Sequence, residues 1–148
     1  MIRLFDIFVS LVIILFVITL ILPIVLVKLI VDGSPIFYIS KRVGMFGHKI
    51  TIYKFRTMIN DSQKIESYIK NIANNKIYQR IPLTAEIYTG IGRWFERLQL
   101  VELPQLFNVL RGNMSLVGNR PLPKHVHLQL IGTFNEKMIN DRMGILPG

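Results

Sequence analysis

Ile7-Phe8-Val9-Ser10-Leu11-Val12-Ile13-Ile14-Leu15-Phe16-Val17-Ile18-Thr19-Leu20-Ile21-Leu22-Pro23-Ile24-Val25-Leu26-Val27-Lys28-Leu29-Ile30-Val31 is an apolar run interrupted only by Ser10, Thr19, Pro23 and Lys28. As a straight helix it would be about 37 Å long, enough to cross a bilayer core of about 30 Å. A cleaved signal peptide fits poorly, because the run is too long and the first alanine is Ala73. A buried helix of a soluble core is seldom this long. Pro23 removes one helical hydrogen bond and crowds the preceding turn, so a kink or break is expected there. Arg3 precedes the run and Lys41 and Arg42 follow it, a bias that favours a cytoplasmic C-terminal side. A helix broken at Pro23 could enter and leave on one face. A kinked helix could equally span, and these residues leave both geometries open.

Around that run the composition is unusual. The 148-residue chain is 51% hydrophobic yet carries a formal charge of +9. A chain both apolar and basic points to an anionic membrane surface, a phosphorylated ligand, or both. The apolar content excludes disorder. The absence of cysteine excludes disulfides, thiolate metal sites and cysteine nucleophiles. All 18 basic residues except Arg3 and Lys28 fall in 32–148, as do all nine acids except Asp6. They are dispersed, with no recognition helix, so nucleic acid is not the expected partner.

Residues 32–148 open with a turn at Asp32-Gly33-Ser34-Pro35. Ile36 to Ser40 and Ile50 to Arg56 read as two short strands, with Gly44 and Gly47 bracketing a hairpin loop. Lys41 to Arg56 holds five basic residues and no acid, which suits lipid headgroups, a phosphorylated substrate or a solvated strand face. Lys54 and Arg56 are two residues apart and would share a strand face. Ile65, Tyr68, Ile69 and Ile72 recur at helical spacing behind Asp61 or Ser62 as cap, with Asn74-Asn75 as the end. A helix is expected from about Gly92 to Gln99, a corner to Leu103, and a second helix from Pro104 to Arg111 stopped by Gly112. Trp94 and Phe95 beside Arg93 and Arg97 fit either an interfacial amphipathic helix or ordinary core packing. His125 and His127 could face one way only on a strand, and no third metal ligand accompanies them. Ser115 has no visible His-Asp partners for a nucleophile.

Leu103-Pro104-Gln105-Leu106-Phe107-Asn108-Val109-Leu110-Arg111-Gly112-Asn113-Met114-Ser115-Leu116-Val117-Gly118-Asn119-Arg120-Pro121 closely resembles the bacterial sugar transferases, small monotopic polyprenyl-phosphate phosphoglycosyl transferases. Arg3, Phe5 and Asp6, then Gly33-Ser34-Pro35-Ile36-Phe37, Arg42-Val43-Gly44 and Tyr53-Lys54-Phe55-Arg56-Thr57-Met58 match in the same order. The resemblance implies a membrane-associated α+β fold. Residues 1–31 would form a re-entrant helix-break-helix, and 32–148 a transferase domain with a small β-hairpin and amphipathic interfacial helices. That domain would sit on the cytoplasmic face of the bacterial inner membrane. The family continues past Leu146-Pro147-Gly148, so the chain is expected to be shortened at its C-terminus. The resemblance also implies an Asp-Glu pair working with Mg²⁺. The Asp attacks the diphosphate of a UDP-sugar, releases UMP and holds the phosphosugar until polyprenyl phosphate takes it. Membrane lipids and a homodimer or an active paralogue are the further partners implied.

The sequence departs from this pattern at Leu100-Val101-Glu102-Leu103-Pro104. Val101 stands where the family has its nucleophilic Asp, and valine offers neither lone pair nor charge. Asn113 and Asn119 replace a usual Asp and a usual Pro. Glu102 is left as the catalytic and metal-binding candidate, with Arg42, Lys54, Arg56, Arg111 and Arg120 as candidates for the substrate phosphates. Three readings follow: a natural or engineered transferase scaffold without its nucleophile, an inactive membrane-anchored partner of an active paralogue, or a transferase in which Glu102 attacks instead.

Overall fold

The computed structural model describes residues 2–72, 81–133 and 143–148. Helix α1 (Ile2–Asp32) is followed by strands β1 (Phe37–Val43) and β2 (Lys49–Phe55), and by helices α2 (Ser62–Ile72) and α3 (Gly90–Arg97). A 3-10 segment (Leu100–Gln105) leads into α4 (Leu106–Leu110), and α5 (Lys124–Thr133) comes after. The architecture is α+β: one long apolar helix, a two-stranded antiparallel sheet and several short helices.

The expected break at Pro23 does not occur. α1 runs unbroken for 31 residues with the proline inside it. The lost hydrogen bond and ring clash cost about 3 kcal/mol. Packing on both sides of Pro23 opposes that cost: Ile21 joins Phe55 and Phe95 in a core cluster, with Val17 and Val25 packed against it.

α1 lies along the body rather than projecting from it. Arg3 donates to the backbone carbonyls of Val109 and Leu110. The buried Asp6 accepts from the Ser115 hydroxyl at 2.7 Å and from the Leu116 amide at 3.3 Å. At the other end, buried Lys28 pairs with Asp32 and lies 5.7 Å from the centre of the Phe95 ring. Asp32 also accepts from Thr89 at 2.8 Å. Arg3, Asp6, Ser10, Val17, Ile21, Val25, Lys28 and Asp32 fall on steps of three, four or seven residues, so they form one stripe. The remaining surface of α1 is exposed and apolar, including Leu4, Phe8, Leu15, Phe16 and Ile30. By length and composition the helix could cross a membrane.

The hairpin forms as the sequence suggests, but β1 is longer. It continues through Lys41 and Arg42 to Val43, which pairs with Lys49. Five residues connect the strands, closed by Gly44 N–H donating to the His48 carbonyl at 2.8 Å, with Gly47 at φ 78°. Cross-strand pairing extends the strand beyond its own apolar pattern. In α2, Asp61 caps through the Lys64 amide. The expected end at Asn74-Asn75 lies outside the described residues.

The segment from Gly90 to Leu110 follows the expected helix–corner–helix. Thr89 caps α3, accepting from the Gly92 amide at 2.9 Å. Gly92 has no substitute there: a Cβ would stand 2.0 Å from the Thr57 carbonyl oxygen. The two aromatics of α3 divide the roles left open above. Phe95 is buried edge-to-face on Phe55, whereas Trp94 is 62% exposed. Ile52, Val109 and Met114 form a second core cluster, which ties β2 to α4.

Candidate functional site

Antiparallel pairing holds β2 against β1, and the 3-10 segment packs across β2. This brings Lys54 to Glu102, 48 positions away. Lys54 Nζ donates to Glu102 Oε1 at 2.7 Å, and Arg120 Nη2 donates to the same oxygen at 2.7 Å. The Lys54 side chain is 18% exposed and that of Arg120 66%, so the cluster opens on the arginine side. Burial alone would raise the Glu102 carboxyl. The hydrogen bond and charge of Lys54 and the charge and hydrogen bond of Arg120 outweigh it and hold the group below its ordinary value. Glu102 is therefore ionised at neutral pH.

Three of the expected site residues thus come together. The others go elsewhere. β2 ends at Phe55, and the parity that would keep Arg56 beside Lys54 ends with it. Arg56 is buried and donates to the carbonyls of Asp32 and Gly33, both at 2.7 Å, tying the end of α1 to the hairpin. Arg111 lies over the Tyr53 ring, 5.7 Å from its centre, and donates weakly to the phenol oxygen at 3.4 Å. Tyr53 and Lys54 face opposite ways on the strand. Arg42 sits on β1 opposite Ile50, with a buried Nε that has no hydrogen-bond partner among the described residues. His125 and His127 are on helix α5, where a spacing of two separates them to different sides. Ser115 is the partner of Asp6.

Val101 is buried, 7% exposed, in the 3-10 segment beside Glu102. A magnesium ion prefers near-octahedral oxygen ligands and is commonly held by one or two carboxylates together with substrate phosphates. Here one carboxylate oxygen already accepts from two cations, and the adjacent position is apolar. Among the described residues no three His, Asp or Glu side chains are grouped as a metal site. One carboxylate, that of Glu102, is present to share such an ion with substrate phosphates.

An apolar cavity of about 190 Å³ lies along α1. Ile14, Val17, Ile21 and Val25 of α1 line one side, and Phe37, Phe55, Leu103, Pro104 and Phe107 the other. Leu103 and Pro104 directly follow Glu102, so the charged cluster and the apolar groove share one stretch of backbone.

The contacts that hold α1 were not legible as pairs in the sequence. Asp6 and Ser115 are 109 positions apart, and Asp32 and Thr89 are 57 apart. The one signal was the presence of Ser10 and Lys28 inside an apolar run.

A polar cluster and an apolar groove thus lie on one fold with a long apolar helix. The model of the family described as "Bacterial sugar transferase" matches residues 1–148, and the chain belongs to that family. It is 40% identical over 98 residues to the undecaprenyl-phosphate galactose phosphotransferase of Salmonella typhimurium, covering 62% of this chain and 20% of that protein. It is 40% identical over 90 residues to the uncharacterized sugar transferase EpsL of Bacillus subtilis, covering 61% and 38%. Against the exopolysaccharide production protein ExoY of Sinorhizobium fredii it is 33% identical over 120 residues, covering 77% and 52%. The matches thus span from a fifth to about half the length of these curated relatives.

Proposed function

We propose that this chain binds a UDP-sugar and polyprenyl phosphate at the Lys54–Glu102–Arg120 cluster, and that Val101 blocks the phosphosugar transfer its family performs. The observation that carries the reading is the stretch 102–104, where Glu102 of the cluster is followed directly by Leu103 and Pro104 of the apolar groove. The phosphate would meet Lys54 and Arg120 while the prenyl chain follows Leu103, Pro104 and Phe107 along α1. Relatives named as undecaprenyl-phosphate galactose and glucose phosphotransferases support both the lipid carrier and the sugar phosphate. A carboxylate nucleophile must reach the diphosphate, and the buried isopropyl group of Val101 supplies none. Glu102 is a poor replacement because both its cation partners already hold it.

Membrane attachment follows from the same helix. Both ends of α1 are fastened to one body, through Arg3 and Asp6 at the start and Lys28 and Asp32 at the close. A spanning helix would carry one end to the far side of the bilayer. The contacts therefore support a helix that enters one leaflet only, on the cytoplasmic face of the inner membrane, with its apolar outer surface in lipid.

The test is UMP release in nanodiscs, using a panel of UDP-sugars and undecaprenyl phosphate with magnesium supplied. Binding of both substrates is expected, with UMP released by the Val101→Asp form alone. Turnover by the unmodified chain would overturn the account of Val101. Failure of either form to bind UDP-sugar or lipid phosphate would reject the reading and leave a partner of an active paralogue as the alternative.

A further inference from the structure

We infer that Tyr38 is a specificity-determining residue of the same site, a stacking surface for the base of the nucleotide-sugar. This rests on the substrate-binding reading proposed above. Strand register carries it. β1 and β2 pair Tyr38 directly with Lys54. The side chains of a directly opposed pair rise on one face of the sheet, with their Cβ atoms about 4.5–5.5 Å apart. Lys54 in turn donates to Glu102 of the 3-10 segment at 2.7 Å. Tyr38, Lys54 and Glu102 therefore form a row that runs from β1 over β2 to the 3-10 segment. Tyr38 is 54% exposed, so its ring is open to a ligand held at the polar cluster.

The alternation along the strands separates two kinds of surface. Phe37 and Phe55 are the next pair in the register and lie on the opposite face. Their rings stack at 5.4 Å, and both line the apolar groove along α1. Tyr38 faces away from that groove, and so away from the helix that would lie in lipid. A prenyl chain belongs on the phenylalanine side. A nucleoside arrives from water, and its base needs a planar partner on the other side. Every base has a π face, so an exposed aromatic ring beside a phosphate contact is a platform for it. Tyr53 does not compete for this role. It is on the phenylalanine side, and Arg111 already lies over its ring, 5.7 Å from the centre.

The experiment is equilibrium binding of UDP and of inorganic pyrophosphate to the full chain in nanodiscs, with magnesium supplied. Pyrophosphate carries the diphosphate without a base, and its binding also reports that each variant is folded. Tyr38→Ala should lose UDP affinity by about tenfold or more, the scale of one lost base–aromatic stack. It should bind pyrophosphate as the unmodified chain does. Tyr38→Phe keeps the ring and should bind both ligands as the unmodified chain does. Unchanged UDP binding in Tyr38→Ala would overturn the inference. An equal loss of UDP and pyrophosphate would do the same, because the residue would then act on the Lys54 cluster and not on the base. So would a loss in Tyr38→Phe as large as in Tyr38→Ala, or an unmodified chain that bound pyrophosphate as tightly as UDP. If folded, unmodified chain bound neither ligand, the substrate-binding reading itself would fall, which is a different result from a missing preference for the base.

Discussion

Two charged clusters carry this molecule, and they are built on opposite terms. Lys28 and Asp32 are buried and paired, with Thr89, the Phe95 ring and the buried Arg56 guanidinium, which donates to the Asp32 carbonyl, beside them. Lys54, Arg120 and Glu102 are partly exposed, and Lys54 and Arg120 donate to one Glu102 oxygen. The first cluster is closed, with little room for a further charge. The second is open on the side of Arg120. The buried group fastens the long apolar helix to the body, while the other lies partly open to solvent.

The largest expected effect comes from breaking the closed cluster. Lys28→Met removes the cation paired with the buried Asp32 carboxylate and should cost about 3–5 kcal/mol, read as a fall in thermal midpoint in detergent. The double change with Asp32→Asn should recover much of that loss, because no uncompensated charge remains. Asp6→Ala orphans the Ser115 hydroxyl and the Leu116 amide and should cost about 1–3 kcal/mol by the same measurement. Val101→Asp puts a carboxyl into a buried apolar position, with a stability loss of about 1–3 kcal/mol expected alongside its gain of UMP release.

Glu102→Gln should be the mildest, shifting stability by less than about 1 kcal/mol because the cluster is partly solvated. Its pH dependence separates it from the others. The Glu102 carboxyl is held below its ordinary value of 4.5 in the folded chain. Its small contribution to stability is therefore present above that value and fades as the pH falls through the lower folded value. The unmodified chain should lose slightly more stability than Glu102→Gln between neutral pH and strong acid. Equal losses in a pH series of thermal melts would show that Lys54 and Arg120 do not hold the carboxylate in solution.

What was legible in the sequence was local. Pro104 and Gly112 punctuate the helices, Gly44 and Gly47 mark the hairpin turn, and Asp61 marks the start of α2. Each acts within a few residues of itself. The misreadings came where distant parts decide. Pro23 obeys the local rule only until Val17, Ile21 and Val25 meet Phe55 and Phe95. β1 outruns its pattern because Val43 has Lys49 as a partner. Arg56 was assigned to the phosphate site by strand parity, but the strand stops one residue earlier and the guanidinium turns to the end of α1. At the site, Glu102, Lys54 and Arg120 were legible as candidates because each sits in a recognisable motif. Their convergence on one carboxylate oxygen was not, since it joins positions 54, 102 and 120 through tertiary packing alone.

The two-ended attachment of α1 also bears on how the lipid would be found. If that helix lies in one leaflet, as proposed above, the height of Glu102 above the acyl chains would be set by a helix fastened at both ends rather than by a tether. A carrier lipid would then reach the groove by sideways diffusion within the leaflet, and the search would be two-dimensional. Its rate would follow the surface density of carrier in the bilayer, so diluting the vesicles at a fixed lipid composition would leave the encounter unchanged.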